Sequence, residues 1–231
     1  MNIALIAFFS AFLTGFNPDC QTVTAGLDIS TSNTTVINQC AFYNQYFYES
    51  NSIDFDAGVR FANKEIDLNS GFSIYPFQFR KWKIGLSGRV HFRNEGDLYN
   101  QVDVFGGFDF VITPLKWLEI ETQVAYYFCC SEIIPLRQYG TQWYYNNSHY
   151  FSLDINFIPV NWLKISLCAE SSEYFYYRLF GSASFSCSAD FYLPAGIILG
   201  ARVSSRWIDL ITLAGNYDGT DFKIYAGYRW L

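Results

Sequence analysis

The chain has 231 residues, half of them apolar, one fifth aromatic and only 16% charged, with 23 Phe and 18 Tyr against a single Met. That is little charge for a domain whose whole outside faces water, and a net charge of -6 excludes nucleic-acid binding, which needs a basic face against the phosphates. Beyond the N-terminus no apolar run reaches the roughly 20 residues a helix needs to cross a bilayer, so a membrane-spanning chain would have to cross as strands.

The long apolar run from Ile3 to Phe16 has the length of a signal-peptide core and is followed by the more polar NPDCQ, although no Lys or Arg precedes it. Residues 1–20 are therefore expected to be a leader and 21–231 a single domain. Cleavage falls near Gly15 or in the next few residues; a cut after Ala25 would suit the small-residue preference but break the strand TVTAGLDIS.

From there on the chain alternates with period two, as strands do when their two faces meet different surroundings. TVTAGLDIS, the aromatic run from Cys40 to Tyr48, SIDFDAGVRF and GFSIYPFQF are the first four predicted strands, with the faces of CAFYNQYFY ambiguous. In the fifth, Trp82, Ile84, Leu86, Val90 and Phe92 oppose Lys83, Ser87, Arg89, His91 and Arg93. Val102, Val104, Phe108 and Phe110 then oppose Gln101, Asp103 and Asp109, and Leu118, Ile120 and Val124 oppose Glu119, Glu121 and Gln123. Two further segments set Leu153 and Ile155 against Ser152 and Asp154, and Leu163 and Ile165 against Lys164 and Ser166.

The stretch from Ser182 to Val203 keeps one parity throughout, with Phe185, Phe191 and Leu199 opposing Ser184, Ser186, Ser188, Asp190 and Arg202. It reads as one long strand, bent at Pro194 without a turn there. Long loops are expected near Arg93 to Asn100, Cys130 to Ser148 and Ser171 to Gly181, and Asp218 and Gly219 of YDGT suit a type I′ hairpin turn. About twelve strands result, or ten if the first hairpin does not pair.

Four turn strings, FRKWKIGL, PLKWLEIE, PVNWLKIS and SSRWIDLI, recur at Trp82, Trp117, Trp162 and Trp207, 35, 45 and 45 residues apart. In transmembrane barrels short turns lie on the periplasmic side and aromatic girdles mark both interfaces. All four Trp turns are assigned to that side. By parity Trp82 joins the apolar face, whereas Trp117, Trp162 and Trp207 fall on the polar parity, suited to capping the lumen mouth. A secreted, water-soluble sandwich would alternate similarly; low charge and the aromatic girdle favour the all-β transmembrane up-and-down barrel.

The C-terminus DFKIYAGYRWL, with Phe222, Ile224, Ala226, Tyr228 and Trp230 alternating, resembles the terminal strand of Gram-negative outer-membrane β-barrel proteins, the small barrels of spirochaetes among them. The family's strand ends on an aromatic residue; here Leu231 follows Trp230, a shift of one. The resemblance covers the chain from about Thr22 and implies an outer-membrane location, lipid neighbours and recognition by the barrel-assembly machinery.

Charges cost about 2 to 4 kcal/mol for a basic residue at the bilayer midplane, so they belong inside the barrel. The expected pore lining is Lys83, Arg89, His91, Arg93, Asp103, Asp109, Glu119, Glu121, Asp154, Lys164 and Asp190. Within it, the basic run Lys83, Arg89, Arg93 faces the acidic strands across a wet pore. The function expected is a narrow channel for small hydrophilic solutes; the alternative is a plugged structural or surface-interaction barrel, its outer aromatics Tyr139, Trp143, Tyr144 and Tyr145 meeting a partner. A minor alternative is a lipid hydrolase using His149 and Ser152, but an offset of three puts those side chains on opposite faces. No enzyme, cofactor or metal site is otherwise implied: the six cysteines have no CxxC spacing, and Cys168 and Cys187 lie on opposite faces.

Overall fold

A sheet that enters lipid must leave no backbone N–H or C=O unpaired, which only closure achieves. In the computed structural model, which describes residues 20–31, 38–62, 65–96, 99–134, 143–171, 183–208 and 216–230, the chain closes in this way. The strands are β1 (Cys20–Thr31), β2 (Asn38–Glu49), β3 (Ile53–Phe61), β4 (Glu65–Phe79), β5 (Trp82–Glu95) and β6 (Tyr99–Leu115). They continue with β7 (Leu118–Ile133), β8 (Trp143–Val160), β9 (Leu163–Ser171), β10 (Ala183–Tyr192), β11 (Ile197–Ile208) and β12 (Asn216–Trp230). Each pairs antiparallel with its neighbour in sequence, and β1 pairs β12 from Gln21↔Trp230 to Ser30↔Asp221, closing a twelve-strand barrel. Of the expected leader, residues 1–20, all but the last lie outside the described residues; that last one, Cys20, already begins β1.

The distribution of exposure decides between membrane and water. On β6, Gln101, Asp103 and Asp109 point inward and are 1–2% exposed, while Val104 and Phe108 point outward at 43% and 63%. The same inversion runs round the wall, with Phe42, Phe79, Leu86, Leu199 and Ile224 all exposed. A soluble barrel buries its apolar face; this one turns it outward, as lipid requires. On β2, the strand with ambiguous faces, Tyr43, Gln45, Phe47 and Glu49 line the interior.

The twelve strands are not quite those expected. Residues 183–208 form two strands, joined by a short 3-10 turn at Pro194–Gly196 in which Ala195 and Gly196 have φ of 63° and 80°. Parity survives the turn because an odd number of residues separates the paired ends Tyr192 and Ile198, so alternation alone reads the hairpin as one strand. The expected YDGT turn is also absent: Gly219 lies within β12 opposite Arg206. Trp207 sits near the end of β11 remote from the other Trp turns, facing Tyr217 edge-on at 5.6 Å. The one strand lost and the one gained cancel in the count.

Three of the expected Trp turns are real and share a construction. Just before each, a register shift inserts one extra residue at Tyr75-Pro76, Thr113-Pro114 and Ile158-Pro159. Proline cannot donate to a ladder and belongs at such bulges. The N–H freed just ahead of the proline donates to the preceding short turn: Tyr75 to Ser52 O at 2.8 Å, Thr113 to Lys81 O at 2.9 Å and Ile158 to Trp117 O at 2.8 Å. Tyr192, near Pro194, donates likewise to Trp162 O at 2.9 Å. These bonds tie each short turn to the strand beyond its hairpin, from the β2–β3 turn round to β10. Trp162 does not cap the lumen, since it stacks on outward Phe191 at 6.4 Å; Trp117 is about half exposed. On the opposite rim the expected Arg93–Asn100 loop is tight, since β5 runs to Glu95 and β6 begins at Tyr99. β7 and β8 likewise extend into the expected Cys130–Ser148 loop, with Trp143, Tyr144 and Tyr145 on β8; Tyr139 and residues 172–181 lie outside the described residues.

At the closing seam, Arg206 reaches from β11 across Gly219 to donate to Thr31 O on β1 at 2.8 Å, and it also pairs with Asp221. A Cβ on Gly219 would collide with both Thr31 O and the Arg206 guanidinium. Gly219→Val is expected to remove about 2 to 3 kcal/mol of stability, read as a lowered urea midpoint of the folded barrel in detergent.

Candidate functional site

The interior is built from the alternate residues that cannot face lipid, and it divides into two halves. Toward the long-strand rim, ion pairs link neighbouring strands into a belt. Arg60 on β3 contacts Asp28 on β1 at 3.0 Å, Glu65 on β4 at 2.6 Å and Asp67 at 3.3 Å. Arg93 on β5 meets Asp67 at 2.9 Å, and His91 lies 3.9 Å from Asp67 and 3.3 Å from Asp103. Asp103 further accepts from Gln101 at 2.8 Å and from the Tyr127 hydroxyl at 2.9 Å. Across the seam, Lys223 on β12 lies 3.6 Å from Asp28. Every charge in this belt has an opposite partner.

Against the belt, inward rings fill the β6–β8 side: Phe105 lies 4.8 Å from Tyr127 and 5.4 Å from Tyr150, centroid to centroid. The Tyr150 hydroxyl donates to Glu170 at 3.0 Å. These aromatics escaped the sequence analysis, which looked for charge inside. Their signal was parity: Phe105 alternates with Asp103 and Asp109, and Tyr127 with Gln123.

Two cavities occupy the remaining space. The one beside the belt, of about 360 Å³, is lined by Arg60, Arg89, His91 and Phe105 among others. The second, of about 510 Å³, lies toward the short-turn rim and is lined by residues of both signs, including Lys83, Glu119, Glu121, Lys164 and Arg202. Tyr43, Gln45 and Lys223 line both and form the neck between them, the Lys223 ammonium resting 5.5 Å from the Tyr43 ring centroid.

The eleven side chains expected inside all carry inward parity but do different things. The basic run Lys83, Arg89, Arg93 does not act together. Lys83 lies over the Tyr75 ring at 5.3 Å in the inner cavity, Arg89 lines the other cavity, and Arg93 is held in the belt. The basic side of the inner cavity comes instead from Lys164, Arg202, Lys223 and Arg229 on β9, β11 and β12. Asp109 accepts from the Ser73 hydroxyl, Glu119 from Asn156 at 3.1 Å, and Asp190 from the Tyr225 hydroxyl. Asp154 stands directly opposite Glu121 in the β7–β8 ladder.

The structure does not bring His149 and Ser152 together. His149 points outward against Tyr126 at 5.8 Å, whereas Ser152 is buried on the inward face. Among the described residues no three His, Cys, Asp or Glu side chains converge as metal ligands, and the six cysteines form no disulfide, with Cys168 inward and Cys187 outward.

No protein-family model matches the chain, and no curated protein matches its sequence. Solved structures do match. A KdgM porin in complex with disordered oligogalacturonate gives a TM-score of 0.58 at 7% identity over 90% of this chain and 98% of that one. An outer-membrane channel from Pseudomonas putida F1 gives 0.54 at 9% identity over 92% and 96%. The translocator domain of the autotransporter NalP from Neisseria meningitidis gives 0.52 at 11% identity over 98% and 94%. At these identities the likeness establishes the fold, that of bacterial outer-membrane barrels. Porins and a translocator share it, so function rests on the interior.

Removing Arg60 takes away the one cation that Asp28, Glu65 and Asp67 share and leaves them Lys223 and Arg93 as partners. Arg60→Met is expected to cost about 1 to 3 kcal/mol, the scale for taking a charged donor from buried acceptors. Urea unfolding in detergent would measure it, with Arg60→Lys recovering part of the loss.

Proposed function

We propose that the chain is an outer-membrane channel that passes small hydrophilic solutes by diffusion and has no enzymatic activity. The observation that carries this is the pair of adjoining cavities inside a closed barrel, joined at Tyr43, Gln45 and Lys223 and lined by charged groups. Eight strands leave an interior that side chains fill; twelve leave more. Likeness to a porin and to an outer-membrane channel supports the same reading.

Within it, the pore lining comprises Lys83, Arg89, Asp109, Glu119, Glu121, Asp154, Lys164 and Asp190, while His91, Arg93 and Asp103 shape the passage from the belt. Lipid meets the outward rings, with Trp82, Trp117, Trp162 and Trp230 at the periplasmic interface and Trp207 at the outer one. Residues 1–20 act as the export leader, and the assembly machinery reads the β12 alternation from Phe222 to Trp230.

The competing plugged barrel has its own observation, the belt and the Phe105–Tyr127–Tyr150 pack. Planar-bilayer recording separates the two. A channel gives discrete conductance steps in potassium chloride, and Arg202→Glu or Lys164→Glu shifts the reversal potential toward cation selectivity. A barrel that stays silent after verified insertion is the plugged form.

A further inference from the structure

The two halves of the interior treat charge differently. In the belt each charge meets its opposite. In the inner cavity this fails: among the described residues Lys164 and Glu121 have no ion-pair partner, Arg202 has only the Ser186 hydroxyl at 2.8 Å, and Glu119 has only Asn156. Moreover, the ladder sets like charges directly opposite each other on both sides of the cavity. Glu121 faces Asp154 across β7 and β8, and Arg202 faces Lys223 across β11 and β12. Such pairs are destabilising, and Ser or Gln would suit those positions better in an idle wall.

We propose that the inner cavity binds a small zwitterion of about dipeptide size, with its carboxylate against Arg202 and Lys164 and its ammonium against Glu119 and Glu121. This rests on the channel reading and names the class of solute it favours. Five acidic and five basic side chains line the cavity, so it has no net charge to favour a simple anion or cation. A simple ion relieves one wall and leaves the other repelling. A solute carrying both charges relieves both, through charge-assisted hydrogen bonds that gain strength away from bulk water. The volume of about 510 Å³ falls within the common range for small-ligand sites, about 300 to 1,000 Å³. A cavity of that size also suits charges separated by a peptide unit better than those of a single small amino acid.

Isothermal titration of the purified barrel with glycylglycine, N-acetylglycylglycine and glycylglycine amide tests the assignment, because the last two lack one charge each. Glycylglycine should bind at least about tenfold more tightly than either blocked form. Glu121→Gln should weaken glycylglycine while sparing the acetylated form, and Arg202→Gln should weaken it while sparing the amide. Both variants relieve a like-charge pair, so both should melt at or above the parent temperature. If Glu121→Gln melts lower, Glu119→Gln takes its place. Equal binding of the three peptides, no binding of glycylglycine, or variants that leave the ratios unchanged would overturn the proposal. Conductance in potassium chloride reads the channel separately: a conducting barrel without peptide discrimination loses only the zwitterion site, and a silent barrel that discriminates loses only the channel.

Discussion

Closure of β12 onto β1 is the constraint from which the rest of the molecule follows. A backbone in lipid has no water to bond, so ten register pairs across the seam, from Gln21 to Ser30, do what solvent would otherwise do. Arg206 crossing Gly219 to Thr31, and Lys223 meeting Asp28, add side-chain ties across the same seam. Once the sheet is closed, each strand has one face in lipid and one in an enclosed space. Polar side chains have nowhere else to go, and the interior becomes a crowded ionic medium.

How that medium settles its charges sets the character of each half. The belt around Arg60 and Arg93 brings four carboxylates and four cationic or titratable groups into mutual contact and holds the adjacent strands in register. It has little left to offer a passing solute. The inner cavity sets Glu121 opposite Asp154 and Arg202 opposite Lys223, like-charge arrangements that cost stability. The ion-paired belt and the like-charge ladder pairs therefore lie apart along the barrel, on either side of the Tyr43–Lys223 neck.

Proline, more than tryptophan, marks the short-turn rim. Pro76, Pro114 and Pro159 each stand at a bulge in a ladder and Pro194 in a tight turn, and a freed N–H at or near each one ties that strand to the neighbouring turn. Three of these prolines precede a Trp, which is why the Trp repeat found those turns. The fourth does not, and Trp207 drew the turn to the wrong place. The hairpin at Pro194 was invisible to alternation because its ends share parity.

By itself the sequence determined the class of fold, because alternation, sparse charge and aromatic abundance express a requirement that acts on every residue separately: which face it occupies. Parity placed Lys83, Glu121, Asp154 and Lys164 on the inner wall and Cys168 and Cys187 on opposite faces. Parity could not say which inward groups meet. Arg60 reaches Asp28 from 32 residues away, and Arg202 on β11 comes to share a cavity with Glu121 on β7 only once the sheet has closed. Those encounters depend on register and on the curvature of the closed wall, so only the tertiary structure decided that Arg93 is bound into a belt while Arg202 lines a cavity with Lys164 and Glu121.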